Sequence, residues 1–507
     1  TVLSAGAYSL SNLSELLPSG GGQNEVEFVA SGTLPNGQAV ILNANGTVTA
    51  VAGSGAAQNI PSGSNVIYTT GKANQNSIAF DPNTANKFAI TFSDDANSNY
   101  GKIVIGTLSG NSMSFGSAVV FNSAYTEPTK VAFDPNTANK LVVCFKDTGT
   151  SGNGTAVVGT VSGTSVSFGS KVVFNSGTTS SFDVKFDPIN SGGKLVIAYY
   201  PANGQGTAVV GTVSGTSVSF GSAVVFSSGA PNYIQLSFDP NTSNKFAIVY
   251  RNSSSSGYGF GIVGTLSGTS TSYGSAAVFN STAVEFIGMA FEKSVSGRFI
   301  IAYGAAVSGT DPNTLAIIGN VSGTSITYGT SAIVATGGTQ GVIAVACDDS
   351  VANQAIIGFT PNYLTGGHIY PTTINGNAIT FGTPVVFNTA AVTWQAVNFD
   401  PNTSGKFVYV YNDPSNTSDG TAFVGLMNTL STNLTSTNLI GISAEAITSG
   451  ATGVINTWGG LNEGQTSLTP ASIYYVQENG TISTVATAPA QKIGQAISAT
   501  TLNILDL

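Results

Sequence analysis

The sequence predicts an all-β fold: a seven-bladed β-propeller of four-stranded blades, inserted in a small β module formed by both chain ends. Two observations carry this. A phrase beginning Phe80-Asp81-Pro82-Asn83-Thr84 returns at Phe133, Phe186, Phe238, Phe291, Cys347 and Phe399, at spacings of 53, 53, 52, 53, 56 and 52 residues. A steady period of this size marks a repeat architecture. Each full repeat also holds four short strand-like segments and no helical pattern, and four strands in such a length make one propeller blade.

The elements follow in order. Residues 1–25 read as a polar-amphipathic stretch ending in a Ser-Gly-Gly-Gly linker, an attachment arm. Residues 26–44 form a hairpin-like part of the small β module, the propeller takes residues 45–431, and residues 432–507 supply the rest of the module. Within a repeat, the first strand ends at the recurring Phe. Asp-Pro-Asn-Thr then makes a turn, because Asp caps the turn backbone and Pro presets φ. The second strand is the most apolar: Lys87 to Phe92, Lys140 to Phe145, Lys194 to Tyr199, Lys245 to Tyr250, Arg298 to Tyr303, Gln354 to Phe359 and Lys406 to Tyr411. Near-continuous runs rich in β-branched and aromatic residues belong to strands buried on both faces. A third strand such as Thr155 to Val161 leads through Ser162-Gly163-Thr164-Ser165, a hairpin turn, into a fourth, Val166 to Phe174. The seventh repeat breaks off after Gly425 and lacks the Phe-Gly-Ser strand. Asn45 to Ala50 and Val66 to Tyr68 resemble the missing pieces, so they are expected to complete the last blade and close the ring, leaving no open blade edge.

Only 8% of residues are charged, the net charge is −9 and the pI is near 4.5, with no basic cluster. Phosphate neutralisation needs grouped Lys and Arg, so neither nucleic acid nor an anionic membrane is an expected partner. No apolar run approaches the ~20 residues that cross a bilayer, and the start carries no signal-peptide pattern. Thr1 is a residue type left after removal of an initiator Met, which fits synthesis in a host cytoplasm without export. Cys144 and Cys347 fall in blades 2 and 6, which are not neighbours, so no disulfide is expected.

The single histidine, His368, rules out a His-rich metal site and reads as a solvated loop or a structural hydrogen bond. The recurring Asp lacks the Asp-x-Asp-x-Asp spacing of a calcium loop. No metal or cofactor is therefore expected. A sialidase clamps its substrate with three arginines, and this chain has only Arg251 and Arg298. A two-carboxylate hydrolase or lyase stays open, since Asp94, Asp95, Glu127, Asp311 and Asp413 fall on one face of the ring.

That face is the informative one. Asp-Pro-Asn-Thr and Ser-Gly-Thr-Ser recur nearly unchanged on one side of the propeller. The other side carries loops that differ in length and chemistry: Ser93 to Gly101, Lys146 to Gly154, Arg251 to Gly259, Gly304 to Thr314 and Thr360 to Gly367. A ligand breaks sevenfold equivalence, although freely drifting solvent loops also vary. Aromatics among Asn, Asp and Ser suit carbohydrate, where rings stack on sugars and amides bind hydroxyls. The candidates are Tyr100, Tyr125, Tyr233, Tyr258, Tyr363, His368 and Trp394.

The flanks carry a family resemblance. Ala30-Ser-Gly-Thr-Leu-Pro-Asn-Gly-Gln-Ala-Val-Ile-Leu-Asn-Ala-Asn-Gly-Thr-Val48 resembles the opening module of tailed-phage virion proteins, especially those of marine phages. Ser443 to Gly453, Tyr475 to Ser483 and Lys492 to Leu502 are similar to a C-terminal module of such proteins. The resemblance covers about a fifth of the chain. It implies a structural protein on the virion surface, of the fibre, spike or capsid-surface type. The expected function is then adhesive, with the variable face presented to a host-surface glycan or receptor and the terminal module contacting other virion proteins, in a homo-oligomer or many copies. No heptad pattern supports a coiled-coil trimer. Rival readings are a capsid decoration or head-fibre protein with no ligand, and a polysaccharide depolymerase.

Overall fold

The apolar runs that follow each Asp-Pro turn are strands buried on both faces. In Lys194–Pro201, Leu195, Ile197 and Tyr199 pack with Val142, Ala156 and Val158 of the preceding blade, while Val196 and Ala198 pack with Ile234, Ile248 and Ile262 of the following one. The side-chain alternation of a strand thus binds each blade to both neighbours. The structure is a computed structural model and describes residues 25–52, 64–190, 192–202, 204–306, 312–361, 366–427, 433–435, 437–477, 480–484 and 491–505. The attachment-arm reading falls almost wholly outside them.

The fold is all-β, with seven blades on one ring. Blade 1 runs from an inner strand, 73–80, through Lys87–Asp94 and Tyr100–Ser109 to an outer strand in two pieces, Ser112–Phe115 and 119–122. The other inner strands are 126–133, 179–186, Pro231–Phe238, Val284–Phe291, Thr339–Cys347 and Thr393–Phe399. Their inner edges have no neighbouring strand, and side chains of the preceding blade satisfy part of that edge. Ser77 Oγ accepts from the Val131 amide (3.2 Å), Ser181 Oγ from Ile234 (2.8 Å), Asp183 Oδ2 from Leu236 (3.0 Å) and Asn398 Oδ1 from Phe80 (3.2 Å).

The fourth strand is not continuous as the sequence suggested. In blade 2, Ser165–Phe168 and 172–175 both pair with Asn153–Ser162, and the chain leaves the ladder at Gly169. The cause lies in the next blade's hairpin. A Cβ on Gly169 would stand 1.7 Å from the Thr216 carbonyl oxygen, and Gly116, Gly221 and Gly274 meet Thr164, Thr269 and Thr324 in the same way. The Phe-Gly-Ser phrase is therefore a docking notch. Gly169→Ala is expected to destabilise by about 1–3 kcal/mol through overpacking between blades. Urea denaturation checks this, and a variant as stable as the parent would mean that the blades do not abut there.

Asp-Pro-Asn-Thr is a turn that also clasps the next blade. Asp81 Oδ1 accepts from the Asn83 amide (2.9 Å), and its Oδ2 accepts from the Asn139 amide of blade 2 (2.9 Å). In the same way Asp239 holds the Gly297 amide (3.0 Å) between blades 4 and 5, and Asp348 holds the Gly405 amide (2.8 Å) between blades 6 and 7. The Asn83 side chain adds a bond to the Asp134 carbonyl (3.1 Å).

Ring closure uses one of the two upstream segments. Val66–Phe80 pairs with Asp419–Leu426 (Val66 opposite Ala422, Ile67 opposite Thr421, Thr69 opposite Gly420), then continues as the inner strand of blade 1. The expectation for Asn45 to Ala50 is corrected. Val48–Ala50 pairs with Ala39–Leu42, and Val48 packs on Leu34, Val40, Ile447 and Ile455 in the terminal module. The chain divides into one unit of residues 58–428 and another of 1–57 with 429–507, so the propeller is shorter than 45–431.

The terminal module contains two five-stranded sheets. The first is ordered Glu25–Val29, Thr452–Asn456, Leu439–Ser443, Ala39–Leu42, Val48–Ala50; the second Leu461–Asn462, Leu502–Ile504, Gln491–Ala496, Ile473–Val476, Ile482–Ser483. Ile41, Ile442, Val476, Leu502 and Ile504 share the core between them.

Candidate recognition face and central channel

Every inner strand begins with a β-bulge near the variable face. In blades 1–5 and 7 two residues oppose one residue of the second strand, and in blade 6 three do. The first bulge residues are Gln75, Glu127, Ser180, Tyr233, Phe286, Gly341 and Trp394, a different residue type in every blade. Five have left-handed backbone: Gln75 (φ 57°), Tyr233 (52°), Phe286 (51°), Gly341 (75°) and Trp394 (52°). Bulky side chains avoid this region, so three aromatics held there are conformational outliers.

Three local contacts link bulges of neighbouring blades. Gln75 Nε2 donates to Glu127 Oε1 (2.9 Å), and the Tyr125 hydroxyl donates to the other oxygen of the same carboxylate. That bond is the main reason the Tyr125 hydroxyl is pushed up to about 12. Tyr125 is 45% exposed and stands opposite Tyr100 in register. Tyr233 lies 5.4 Å from Phe286 at 58°, and burial raises its hydroxyl pKa, with Glu285 adding to the effect. Trp394 lines the channel mouth with Gln75, and its carbonyl accepts from Asn76 Nδ2 (2.9 Å).

The remaining candidates lie apart from these bulges. Tyr258 opens the third strand of blade 4 opposite Asn252, the place Tyr100 takes opposite Asp94 in blade 1. Tyr363 lies outside the described residues. His368 is not on the surface: it is 5% exposed in Gly367–Asn375, with Nδ1 3.1 Å from the Gly366 carbonyl and its ring stacked 6.3 Å from Tyr370. It takes the place of Thr155 and Thr207, so the structural hydrogen-bond reading stands and the ligand-contact reading does not. Cys144 and Cys347 are both buried and free, and burial pushes the Cys144 thiol pKa up.

The variable loops share more backbone than their sequences suggest. Asp94, Asp147 and Asn252 each cap a single 3₁₀ turn by accepting from the amide two residues on (3.1, 3.0 and 3.0 Å), and each turn ends in a left-handed Ser. Asp413 caps Ser415 likewise (3.0 Å). Divergence on this face is thus a matter of side chains in those four loops. The caps also occupy two of the five carboxylates named for hydrolysis, Asp94 and Asp413, and Glu127 is held by Gln75 and Tyr125. Asp94 further pairs with Lys102 (2.5 Å), Asp413 accepts from Asn388 (2.8 Å), and Asp311 lies outside the described residues.

The inner strands enclose a channel of about 430 Å³. Its wall is uneven. At the positions three and one before the recurring Phe, blades 2 to 4 contribute Lys130, Asp183, Lys185, Gln235 and Ser237 besides Ala132, whereas blades 5 to 7 contribute Gly288, Ala290, Ala344, Ala346 and Ala396 besides Asn398. Burial pushes the Lys130 ammonium pKa down, with Asp183 acting against it and Lys185 with it.

No family model matches the sequence, and no curated protein matches it. Among solved structures, the BP39L lectin from Burkholderia pseudomallei gives a TM-score of 0.52 at 8% identity, over 72% of this chain and 99% of that one. Sqt1 from Chaetomium thermophilum gives 0.44 at 12% identity when bound to the N-terminus of ribosomal protein L10, over 69% of this chain and 86% of that one. Another structure of Sqt1 gives 0.45 at 13% identity, over 70% and 83%. At these identities the likeness to the lectin concerns the fold.

Proposed function

We propose that this chain is an adhesive structural protein of a tailed-phage virion surface, whose channel mouth on the variable face engages a host-surface glycan or protein. The observation that carries the recognition reading is the ring of bulges. Seven equivalent positions hold seven different residues, and Tyr233, Phe286 and Trp394 keep a backbone that costs about 1–3 kcal/mol each. Strain of that size persists where it positions something, and half-buried aromatic faces beside Gln75, Asn76 and Glu127 suit a sugar or a peptide. The virion reading rests on the flanks: Ala30 to Val48, Ser443 to Gly453, Tyr475 to Ser483 and Lys492 to Leu502 all fall in the terminal module, which suits an attachment unit separate from the propeller.

The test is binding to whole candidate host cells and a glycan array, with the parent beside Tyr233→Gly and Trp394→Gly. Glycine accepts left-handed backbone without strain, so both variants should stay folded. Loss of a central aromatic contact is expected to weaken binding by about tenfold or more. Undiminished binding would remove the channel mouth from the site. No binding by the parent would favour the decoration role, and release of product from host polysaccharide would favour the depolymerase.

A further inference from the structure

We infer that the middle of the central channel is a binding site for the carboxylate of a small organic acid, with Lys130 as its principal contact and Lys185 beside it. This site is separate from the bulge residues at the mouth and does not depend on the adhesive reading.

The argument begins with the scarcity of cations. The chain has 15 Lys and Arg in 507 residues and a net charge of −9, yet two of its lysines line one cavity. Lys130 and Asp183 occupy the same position of adjacent inner strands, three residues before Phe133 and Phe186, and Lys185 follows one step toward the other face. Asp183 does not neutralise both. Its Oδ1 accepts from the Val184 amide (2.9 Å) and lies 3.5 Å from Lys185 Nζ, and its Oδ2 accepts from the Leu236 amide (3.0 Å). That leaves Lys130 with no hydrogen-bond acceptor or ion pair among the described residues, in a place where burial disfavours its charge. The other carboxylate of the lining, Asp349, is exposed and lies past Cys347 on the Asp-Pro side.

Shape agrees with charge. The positions equivalent to Lys130 in blades 5, 6 and 7 are Gly288, Ala344 and Ala396, so the wall facing the lysines is built of the smallest side chains. The volume of about 430 Å³ falls within the roughly 300–1,000 Å³ of small-molecule sites. Gln235, Ser237 and Asn398 add amide and hydroxyl groups for the rest of a polar ligand. The arrangement is a cationic, hydrogen-bonding wall opposite one whose side chains at the level of Lys130 are the smallest, and it fits a sugar-sized acid better than a neutral sugar.

Isothermal titration of the full chain with galacturonate, beside galactose as its neutral counterpart, tests the site. Saturable binding of galacturonate is expected, at least about tenfold tighter than galactose, and Lys130→Met should weaken it by about tenfold or more while Lys72→Met, an exposed lysine, leaves it unchanged. Lys130→Met removes a desolvated charge, so it should fold as well as the parent; its melting curve checks this. No saturable binding of galacturonate at millimolar concentration, equal binding of galactose, or undiminished binding by folded Lys130→Met would each overturn the inference. Tyr233→Gly and Trp394→Gly should still bind galacturonate, so loss of cell binding and loss of acid binding are separable results.

Discussion

Ile197→Asp is expected to leave the propeller unfolded at room temperature. Ile197 is fully buried between Val184 and Val209 of its own sheet and packs on the sheet of blade 2. Removing it forfeits about 1.5–3 kcal/mol of burial. The larger effect is the carboxylate, which has no cation in that cluster and would have to be buried without a counter-charge or protonated, at several kcal/mol more. The total approaches the whole stability of an ordinary domain. A closed ring also has no end repeat to lose, since each blade is a wall of the next. Two companions separate charge from position. Ile197→Val should cost only about 0.5–1.5 kcal/mol, and Val173→Asp, on an outer strand at 46% exposure, should stay within about 0.5 kcal/mol of the parent. Circular dichroism melts compare the three. An Ile197→Asp protein melting within a few degrees of the parent would contradict a two-sided core at this strand.

The strands were legible because their pattern is local and repeated. A run such as Leu195 to Tyr199 has one reading when it returns seven times behind the same turn, and the Gly-Thr hairpin follows from a glycine at φ near 60° in the first loop position. Val66 to Tyr68 was legible as the closing strand because its β-branched pair and aromatic match Val172 to Phe174. Asn45 to Ala50 misled for the converse reason: Gly-Thr-Val-Thr fits any strand with alternating burial, and which sheet receives it depends on Ile447 and Ile455, some 400 residues away. His368 carried a usable signal that loop composition hid. Aligning Gly367 with Gly154 and Gly206 places it inside the third strand. The bulges carried none, because a positive φ at Tyr233 or Trp394 comes from how two strands pair. Nor did the channel wall, where Lys130 and Lys185 are 55 residues apart and meet only once adjacent blades close.

Arg298→Met should be the most damaging single change outside the apolar core, because blade 5 replaces the common clasp with a buried ion pair. Where the other blades place Asp, this one has Glu292, whose side chain is fully buried. The longer side chain still reaches the next blade: Oε1 accepts from the Asn353 amide (2.9 Å) and from the Ser294 hydroxyl. Its second oxygen takes Arg298 Nε at 2.5 Å, and the guanidinium continues to the Asn353 side chain. Lys140, Lys194 and Lys245 at the equivalent position turn away to a Thr on the third strand instead (2.8, 2.7 and 2.8 Å). Glu292 and Arg298 therefore act as a pair in this blade, each the partner the other has where its sister blades carry Asp and Lys or Gln. Removing the arginine strands a buried carboxylate and is expected to destabilise by about 3–5 kcal/mol. Glu292→Gln with Arg298→Met keeps an acceptor for the Asn353 amide while removing both charges, so it should recover more than half of that loss. Urea unfolding of the parent, Arg298→Met and the double variant decides the point. If the double variant is no more stable than Arg298→Met, the loss comes from arginine packing and its bonds to blade 6, and the charge of Glu292 is not what Arg298 is there to balance.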